Sequence, residues 1–182
     1  ARDPERAEWR NNLGGILVRQ QRLEEALAEY DAALRLKPEL EQAAEGRRKV
    51  LVALERPDEV VADLEAEVAA DPEAVEPRLR LARALDLAGR PEEAVPYLRE
   101  AGEANPEDAR PWRELASLFQ QRSLNPRALK ALEKAETADP ESDGLRVQFA
   151  HVLKEMGRYD EALERVDEAL ERVPGAPAAR AA

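Results

Sequence analysis

The stretch that decides the fold is residues 109–140, ARPWRELASLFQQRSLNPRALKALEKAETADP. The apolar residues of its first part are spaced i, i+3, i+4 and i+7, which is one face of an α-helix. They are Trp112, Leu115, Ala116 and Phe119. After a turn, a second helical face follows, consisting of Ala128, Leu132 and Ala135. Pro140 ends it, because proline disfavours helical backbone in the residue before it. The stretch therefore predicts two helices joined by a short turn.

Prolines repeat along the chain with the length of this helical pair. Six of the 13 prolines stand 34 residues apart, at Pro4, Pro38, Pro72, Pro106, Pro140 and Pro174. An aromatic residue, a Leu, a small residue and a second aromatic, then Ala and Pro within 34 residues, resembles the tetratricopeptide repeat (TPR). The resemblance extends over nearly the whole chain. It implies an all-α fold, an α-α superhelix (solenoid) of about five stacked helix-turn-helix units with about ten antiparallel helices.

The 34-residue period predicts where the repeats begin and end. The five predicted repeats are residues 7–40, 41–74, 75–108, 109–142 and 143–176. Residues 1–6 are interpreted as the end of a preceding repeat, and 177–182 as a tail or the start of a further one. Because the first residue is Ala rather than Met, we expect an excised or processed piece of a longer protein.

The repeats differ in how well they keep the core pattern. In the first repeat we expect Leu13, Gly14 and Leu17 to face inward. The second repeat is degenerate, because Arg47 and Arg48 stand where a Leu and a small residue belong. Two interpretations remain open. Either the helices shift so that the Arg side chains extend to solvent, or this repeat is a local hinge or a partner-facing kink.

Composition argues against several classes of function. The net charge of −11 opposes binding to a nucleic-acid backbone. The absence of Cys excludes disulfides, and His151 is the one histidine, so neither a multi-histidine metal site nor a supported Ser-His pair is expected. No apolar run is long enough to span a membrane. We predict no enzyme activity, no cofactor, no metal site and no membrane insertion, and leave a cytoplasmic or periplasmic location open.

In TPR proteins, the first helix of each repeat lines a concave groove that holds an extended or helical peptide. The resemblance therefore implies a protein or peptide partner. It also implies the residues that face the groove, of which we predict as binding residues Asn11, Asn12, Lys49, Arg80, Arg83, Arg110, Arg113, Gln120, Gln148 and His151. We expect Arg80, Arg83 and Arg113 to be exposed.

The five cations in this set predict a basic stripe within an acidic protein. Such a stripe would suit an acidic peptide or a free carboxylate, because arginine binds carboxylates through two parallel hydrogen bonds. The alternative is that Glu76, Asp86 and Glu114 balance these charges. Among the predicted repeats, only 109–142 carries more Lys and Arg than Asp and Glu.

Three functions remain open from the sequence. The first is a protein–protein interaction scaffold that binds a peptide or protein segment in the concave groove. The second is an accessory domain that positions substrate, or supports assembly, in a larger enzyme or bacterial export protein. A bacterial source for this second function agrees with the excess of Arg over Lys, which is typical of bacterial genomes rich in G and C. The third is self-association through apolar faces at the ends of the array.

Overall fold

The computed structural model describes residues 4–171, and every regular element in that range is an α-helix. The ten helices are α1 Pro4–Arg19, α2 Leu23–Leu36, α3 Glu41–Ala53, α4 Pro57–Ala70, α5 Val75–Leu87, α6 Pro91–Ala104, α7 Arg110–Gln120, α8 Asn125–Ala138, α9 Asp143–Glu155 and α10 Tyr159–Glu171. Packing is most extensive between consecutive helices, as in α1–α2 and α7–α8. The predicted all-α class and helix pairing are confirmed. None of the described helices is long and apolar enough to cross a bilayer.

The chain divides into two compact units, residues 1–66 and 67–182. The first unit contains α1, α2, α3 and most of α4. The second contains the last turn of α4 and helices α5 to α10. In the second unit, α5, α7 and α9 form a row of first helices, and α6, α8 and α10 form a row of second helices.

The first helix of each pair ends in the same turn. A residue with positive φ closes it in every case: Gln21 (61°), Glu55 (58°), Gly89 (73°), Ser123 (57°) and Gly157 (75°). The next N–H then donates to a carbonyl five residues back, as Leu124 does to Phe119 at 2.9 Å. This is the Schellman motif, in which glycine is the least strained residue. The backbone therefore repeats with the 34-residue period of the prolines.

The third and fourth repeats, both in the second unit, bury equivalent apolar positions. In the third repeat the buried positions are Leu81, Ala82, Leu85, Ala94, Leu98 and Ala101. In the fourth they are Trp112, Leu115, Ala116, Phe119, Ala128, Leu132 and Ala135. Alanines allow neighbouring backbones to approach, and the larger side chains fill the space beside them. The apolar spacing thus predicts the core of the fourth repeat correctly, and the third repeat buries the residues 34 positions earlier.

In the first unit, the predicted inward orientation of Leu13 is wrong. Leu13 is 43% exposed, whereas Gly14 and Leu17 are buried as predicted. A Cβ atom added to Gly14 would lie 2.8 Å from Cε1 of Tyr30, so the Tyr30 ring of α2 occupies this face of α1. Leu13 points away from that contact because it lies on another side of the helix.

The two arginines of the degenerate repeat do not extend to solvent, so that interpretation is wrong. The Arg47 side chain is 17% exposed, and its Nε donates to Asp31 of α2 at 2.7 Å. Its guanidinium also pairs with Asp63 of α4. Arg48 is 8% exposed and lies 3.4 Å from Glu45. Carboxylates on neighbouring helices hold Arg47 inside, as a buried charge requires. The hinge or kink remains a prediction.

Candidate functional site

Four of the predicted binding residues meet around one pocket of the second unit. This pocket has a volume of about 340 Å³ and lies among α5, α7 and α9, the first helices of three pairs. The four predicted residues are Arg83, Arg110, Arg113 and Gln148, and the pocket also contains Glu76, Glu114 and Ser117. We call it the first-helix pocket.

Two of its three cations are already paired with carboxylates. Arg83 donates to Glu114, with Nε 3.1 Å from Oε1. Arg110 donates to Asp108 at 2.7 Å and to Glu76 at 3.1 Å. The hydrogen bond from the Arg110 guanidinium lowers the pKa of Asp108. For Arg83 and Arg110, the alternative in which neighbouring carboxylates balance the charge therefore holds.

Arg113 differs from the other two cations. No carboxylate pairs with it among residues 4–171, and its Nε donates to the amide oxygen of Gln148 at 3.3 Å. Its Nη2 lies beside Gly144, 3.5 Å from where a Cβ atom would be. The absence of a side chain at Gly144 leaves room next to the guanidinium. Arg113 can therefore still offer its terminal N–H groups to a carboxylate.

The predicted exposure of Arg80 and Arg113 is wrong, because both are half-buried, whereas Arg83 is exposed. Arg80 lies 3.3 Å from Glu67, and its Nε is buried without a hydrogen-bond partner. Its charge is paired with that of Glu67. Arg80 is thus placed outside the first-helix pocket.

The remaining predicted residues lie elsewhere. Gln120 and His151 contact each other across α7 and α9, and His151 also lies 3.4 Å from Glu155. Asn11 and Asn12 lie on α1 in the unit 1–66. Lys49 belongs to the same unit, on α3, where its Nζ is 3.1 Å from Glu45.

A larger cleft, which sequence reasoning missed, lies among α6, α7 and α8. It has a volume of about 770 Å³. Its floor includes Trp112, Leu115 and Phe119. Its rim carries five cations, Arg99, Arg122, Arg127, Lys130 and Lys134, against the two carboxylates Glu92 and Glu103. We call it the cationic cleft.

The aromatic floor of the cationic cleft is held by contacts on both sides. A Cβ atom added to Gly102 would lie 2.4 Å from the Trp112 indole, so the ring packs directly on the α6 backbone. Nζ of Lys134 lies 4.3 Å from the centroid of that ring. Arg127 stands over Phe119 at 5.9 Å. Cations placed over aromatic faces in this way are attracted by the ring quadrupole.

Most of the rim charge is not neutralised. Arg122 pairs with Asp86 and donates to the carbonyl of Leu118. In the described part of the chain, no ion pair is formed by the other four cations, which are Arg99, Arg127, Lys130 and Lys134. All four are exposed. The cleft therefore concentrates free positive charge in a protein of net charge −11.

Equivalent positions of the other repeats supply a sequence signal for this cleft. Where Arg99 stands, the other repeats have Asp31, Glu65, Glu133 and Asp167. Where Arg127 stands, they have Glu25, Glu59, Glu93 and Glu161. Lys130 and Lys134 likewise replace alanine, proline or glutamate. The cations are thus particular to one place in the array.

Comparison with protein families identifies the chain. Three family models, each described as tetratricopeptide repeat, match residues 1–41, 75–118 and 125–182, which together are well over half of the sequence. The chain belongs to the tetratricopeptide repeat family. No curated protein sequence matches it.

Solved TPR structures resemble this chain over most of its length. MamA 41-end from Desulfovibrio magneticus RS-1 has a TM-score of 0.67 and 19% identity, covering 94% of this chain and 96% of that one. TTC0263, a thermophilic TPR protein of Thermus thermophilus, has a TM-score of 0.61 and 22% identity, covering 93% and 92%. YrrB, described as a TPR protein with an unusual peptide-binding site, has a TM-score of 0.59 and 25% identity, covering 91% and 86%. The TPR fold is that of a protein–protein interaction scaffold.

Two helices of this TPR chain also expose apolar stripes. On α1 the stripe consists of Trp9 (70% exposed), Leu13 (43%) and Ile16 (50%). On α10 it consists of Tyr159, Leu163, Val166 and Leu170, which are exposed at helical spacing. Contiguous exposed apolar surface of this kind is typical of sites that contact another protein.

Among residues 4–171, no cluster of His, Asp and Glu is arranged to hold a metal ion.

Proposed function

We propose that this TPR scaffold binds an acidic segment, or a free carboxylate, of a partner protein in the first-helix pocket. The observation that carries the proposal is Arg113, a pocket cation that pairs with no carboxylate among residues 4–171. Ser117 and Gln148 offer hydrogen-bonding groups beside it. The peptide-binding site named for YrrB supports a peptide as the class of ligand.

The residues of the proposed site have different roles. Arg113 would contact the ligand carboxylate. Arg83 and Arg110 would fix the pocket walls, because Glu114 and Glu76 already hold them. Gln148 and, in the same unit, Gln120 and His151 would contact the peptide backbone or its flanking side chains. Arg80, which pairs with Glu67 outside the pocket, and Asn11, Asn12 and Lys49, which belong to the unit 1–66, stay predictions as binding residues.

A peptide-binding measurement tests this function. A peptide display library is panned against the wild-type chain, and an enriched peptide is labelled for fluorescence anisotropy. We expect acidic sequences, and a loss of affinity of about 10- to 100-fold in Arg113→Gln, because one charge-assisted bidentate contact contributes roughly 1.5–3 kcal/mol. Arg35→Gln, an exposed change in the other unit, is the control. Equal affinity of wild type and Arg113→Gln would contradict the proposal.

We also propose self-association, carried by the two apolar stripes. The α10 stripe of one copy would pack on the α1 stripe of the next, a head-to-tail contact that can repeat. Sedimentation velocity at several concentrations is the test. We expect the mean mass to rise with concentration, and Leu13→Glu or Leu163→Glu each to remove the rise. A wild-type monomer at every concentration excludes this contact.

A further inference from the structure

We infer that the cationic cleft is a second protein-binding site, whose ligand is an acidic amphipathic helix of a partner protein. The proposal does not depend on the first-helix pocket, because the cleft is formed by other side chains. The cleft lies on the second helices α6 and α8, with α7 as its floor.

Charge is the first property of the cleft that selects a ligand. Arg99, Arg127, Lys130 and Lys134 are exposed cations without a carboxylate partner among residues 4–171. The chain around them is acidic, so an anionic ligand is repelled from most of the surface and attracted here. A ligand with several negative charges is therefore favoured.

The apolar residues of the cleft are the second property that selects a ligand. Trp112 and Phe119 lie under the rim and are only 5% and 8% exposed, so the apolar surface open to a ligand is mainly that of Leu124, which is 39% exposed, and of the half-buried Val95. A purely polar acidic peptide would leave this surface in contact with water. A ligand that also carries apolar side chains buries this surface, and that burial favours binding.

The spacing of the cations along α8 is the third property, and it favours a helical ligand. Arg127, Lys130 and Lys134 lie on one face of α8, and seven residues of helix extend about 10 Å. A helix with carboxylates at i, i+3 or i+4, and i+7 repeats at the same interval. An anionic amphiphile with one head group can neutralise only part of such a row. Laying the apolar face of a helix into a groove is an established mode of peptide recognition.

A neighbouring cleft of the same TPR unit provides an internal control. It lies among α8, α9 and α10 and has a volume of about 310 Å³. At the positions equivalent to the four free cations it has Glu133, Glu161, Glu164 and Glu168. We call it the acidic cleft. The repeat framework accepts either sign of charge at these positions, so the cations of the other cleft are not required for folding.

The experiment uses the full chain and a synthetic helical peptide as probe. The probe carries leucines at i, i+3, i+4 and i+7 flanked by glutamates, with a fluorescent label. Its comparison peptide has the same composition with the leucines scrambled. Titration of the wild-type chain should give saturable binding of the probe that weakens with salt, and at least about tenfold weaker binding of the scrambled peptide.

The matched variants separate the two sites. The triple variant Arg99→Glu, Lys130→Glu, Lys134→Glu copies residues of the acidic cleft and should weaken probe binding about tenfold or more. The control Arg19→Glu, Arg35→Glu, Lys154→Glu makes the same change in net charge at exposed positions elsewhere and should leave most of the affinity. Arg113→Gln is titrated with the same probe: binding that needs Arg113 but not Arg99, Lys130 and Lys134 would place the probe in the first-helix pocket and overturn the inference, so failure of one site is distinguishable from failure of the other.

Tryptophan fluorescence in a Trp9→Phe background reports the location of binding. The probe should displace Lys134 from the Trp112 ring and shift the remaining tryptophan emission. Equal binding of the scrambled peptide, equal loss in both triple variants, or an unchanged Trp112 spectrum at saturation would each overturn the inference. So would binding of laurate in the cleft without any affinity for the helical probe.

Discussion

The cationic and acidic clefts have one architecture and opposite charge. Each is formed by two second helices over a first helix, and Leu98 and Leu132 occupy equivalent, fully buried positions on α6 and α8. The rims differ at every one of four equivalent positions. In this TPR chain, the buried residues that repeat determine the framework, and the exposed residues that vary determine what each surface can bind.

The floors explain part of the charge difference. Where the cationic cleft has Trp112, the next repeat has Arg146, which is 6% exposed. Arg146 donates to Asp143 and to the carbonyl of Pro140, and lies 3.9 Å from Glu168. A buried guanidinium requires such partners, so one rim carboxylate of the acidic cleft is used internally. The neutral Trp112 makes no such demand, and the cations above it remain available.

The largest expected effect concerns the framework that the two clefts share. Leu132→Ala removes a side chain that is 0% exposed, and it should lower the free energy of unfolding by about 2–5 kcal/mol. Lys134→Glu, on the rim of the same helix, should change it by no more than about 0.5 kcal/mol. Urea unfolding followed by circular dichroism measures both. Similar losses in the two variants would contradict the separation of framework and rim.

The next effect sharpens the difference between the two floors. Gly102→Ala should lower the free energy of unfolding by about 1–3 kcal/mol, because the new methyl group meets the Trp112 ring. In the acidic cleft the equivalent residue is Glu136, which makes no such contact and instead accepts a hydrogen bond from Arg165 at 2.6 Å. Thermal unfolding with tryptophan fluorescence is the measurement. An unperturbed Trp112 spectrum in Gly102→Ala would show that the ring is not packed on this glycine.

A third effect compares the turns beneath the two clefts. Ser123 has φ of 57° and Gly157, its equivalent, has φ of 75°. A non-glycine residue in this conformation costs roughly 1–2 kcal/mol, partly offset by the greater freedom of glycine in the unfolded chain. Ser123→Gly should therefore stabilise by about 1 kcal/mol, and Gly157→Ser should destabilise by about as much. Chemical unfolding of both variants tests this, and shifts of the same sign would contradict it.

The sequence predicted the TPR framework well because the residues that recur every 34 positions have strong structural preferences. Proline ends helices, and apolar residues at helical spacing mark a buried face. Pro140 ends a helix and recurs every 34 residues, and Leu132 has Leu64 and Leu98 at the equivalent positions of other second helices. The pattern of a single helix cannot show which of its apolar faces a neighbour covers. Leu13 matches the repeat pattern and is nevertheless 43% exposed, and Tyr159 at the start of α10 is 64% exposed. Their exposure depends on packing between helices, which periodicity does not encode.

The candidate sites were less predictable. Register alone brings Arg113 and Gln148 together, because residues about one repeat apart lie side by side on neighbouring first helices. Whether a cation is free or paired depends on side-chain conformation, as the contact of Arg83 with Glu114 illustrates. The resemblance to the family predicts binding residues on the first helices. The cationic cleft lies on the second helices, where comparison of Arg99 and Arg127 with equivalent residues reveals it.

The smallest effect concerns a charge pair that the acidic cleft has and the cationic cleft lacks. Arg158 donates to Glu161 at 2.6 Å, whereas Leu124 and Arg127 occupy the equivalent positions. The hydrogen bond from Arg158 lowers the pKa of Glu161. A carboxyl group with a lowered pKa in the folded state adds stability above its unfolded pKa and loses it as the pH falls through the folded value.

Arg158→Leu, which copies Leu124, should therefore return the pKa of Glu161 toward its ordinary value. An NMR titration of the Glu161 carboxyl carbon measures this directly. The change in stability should be small, because exposed ion pairs contribute little, and it should be present at neutral pH and absent below the folded pKa. Leu124→Arg is the control, since it adds the arginine in the cleft where Arg127 leaves it no carboxylate at the equivalent position. If Glu161 titrates alike in wild type and Arg158→Leu, the pair does not set its charge, and the negative rim of the acidic cleft would have to be explained by its remaining carboxylates.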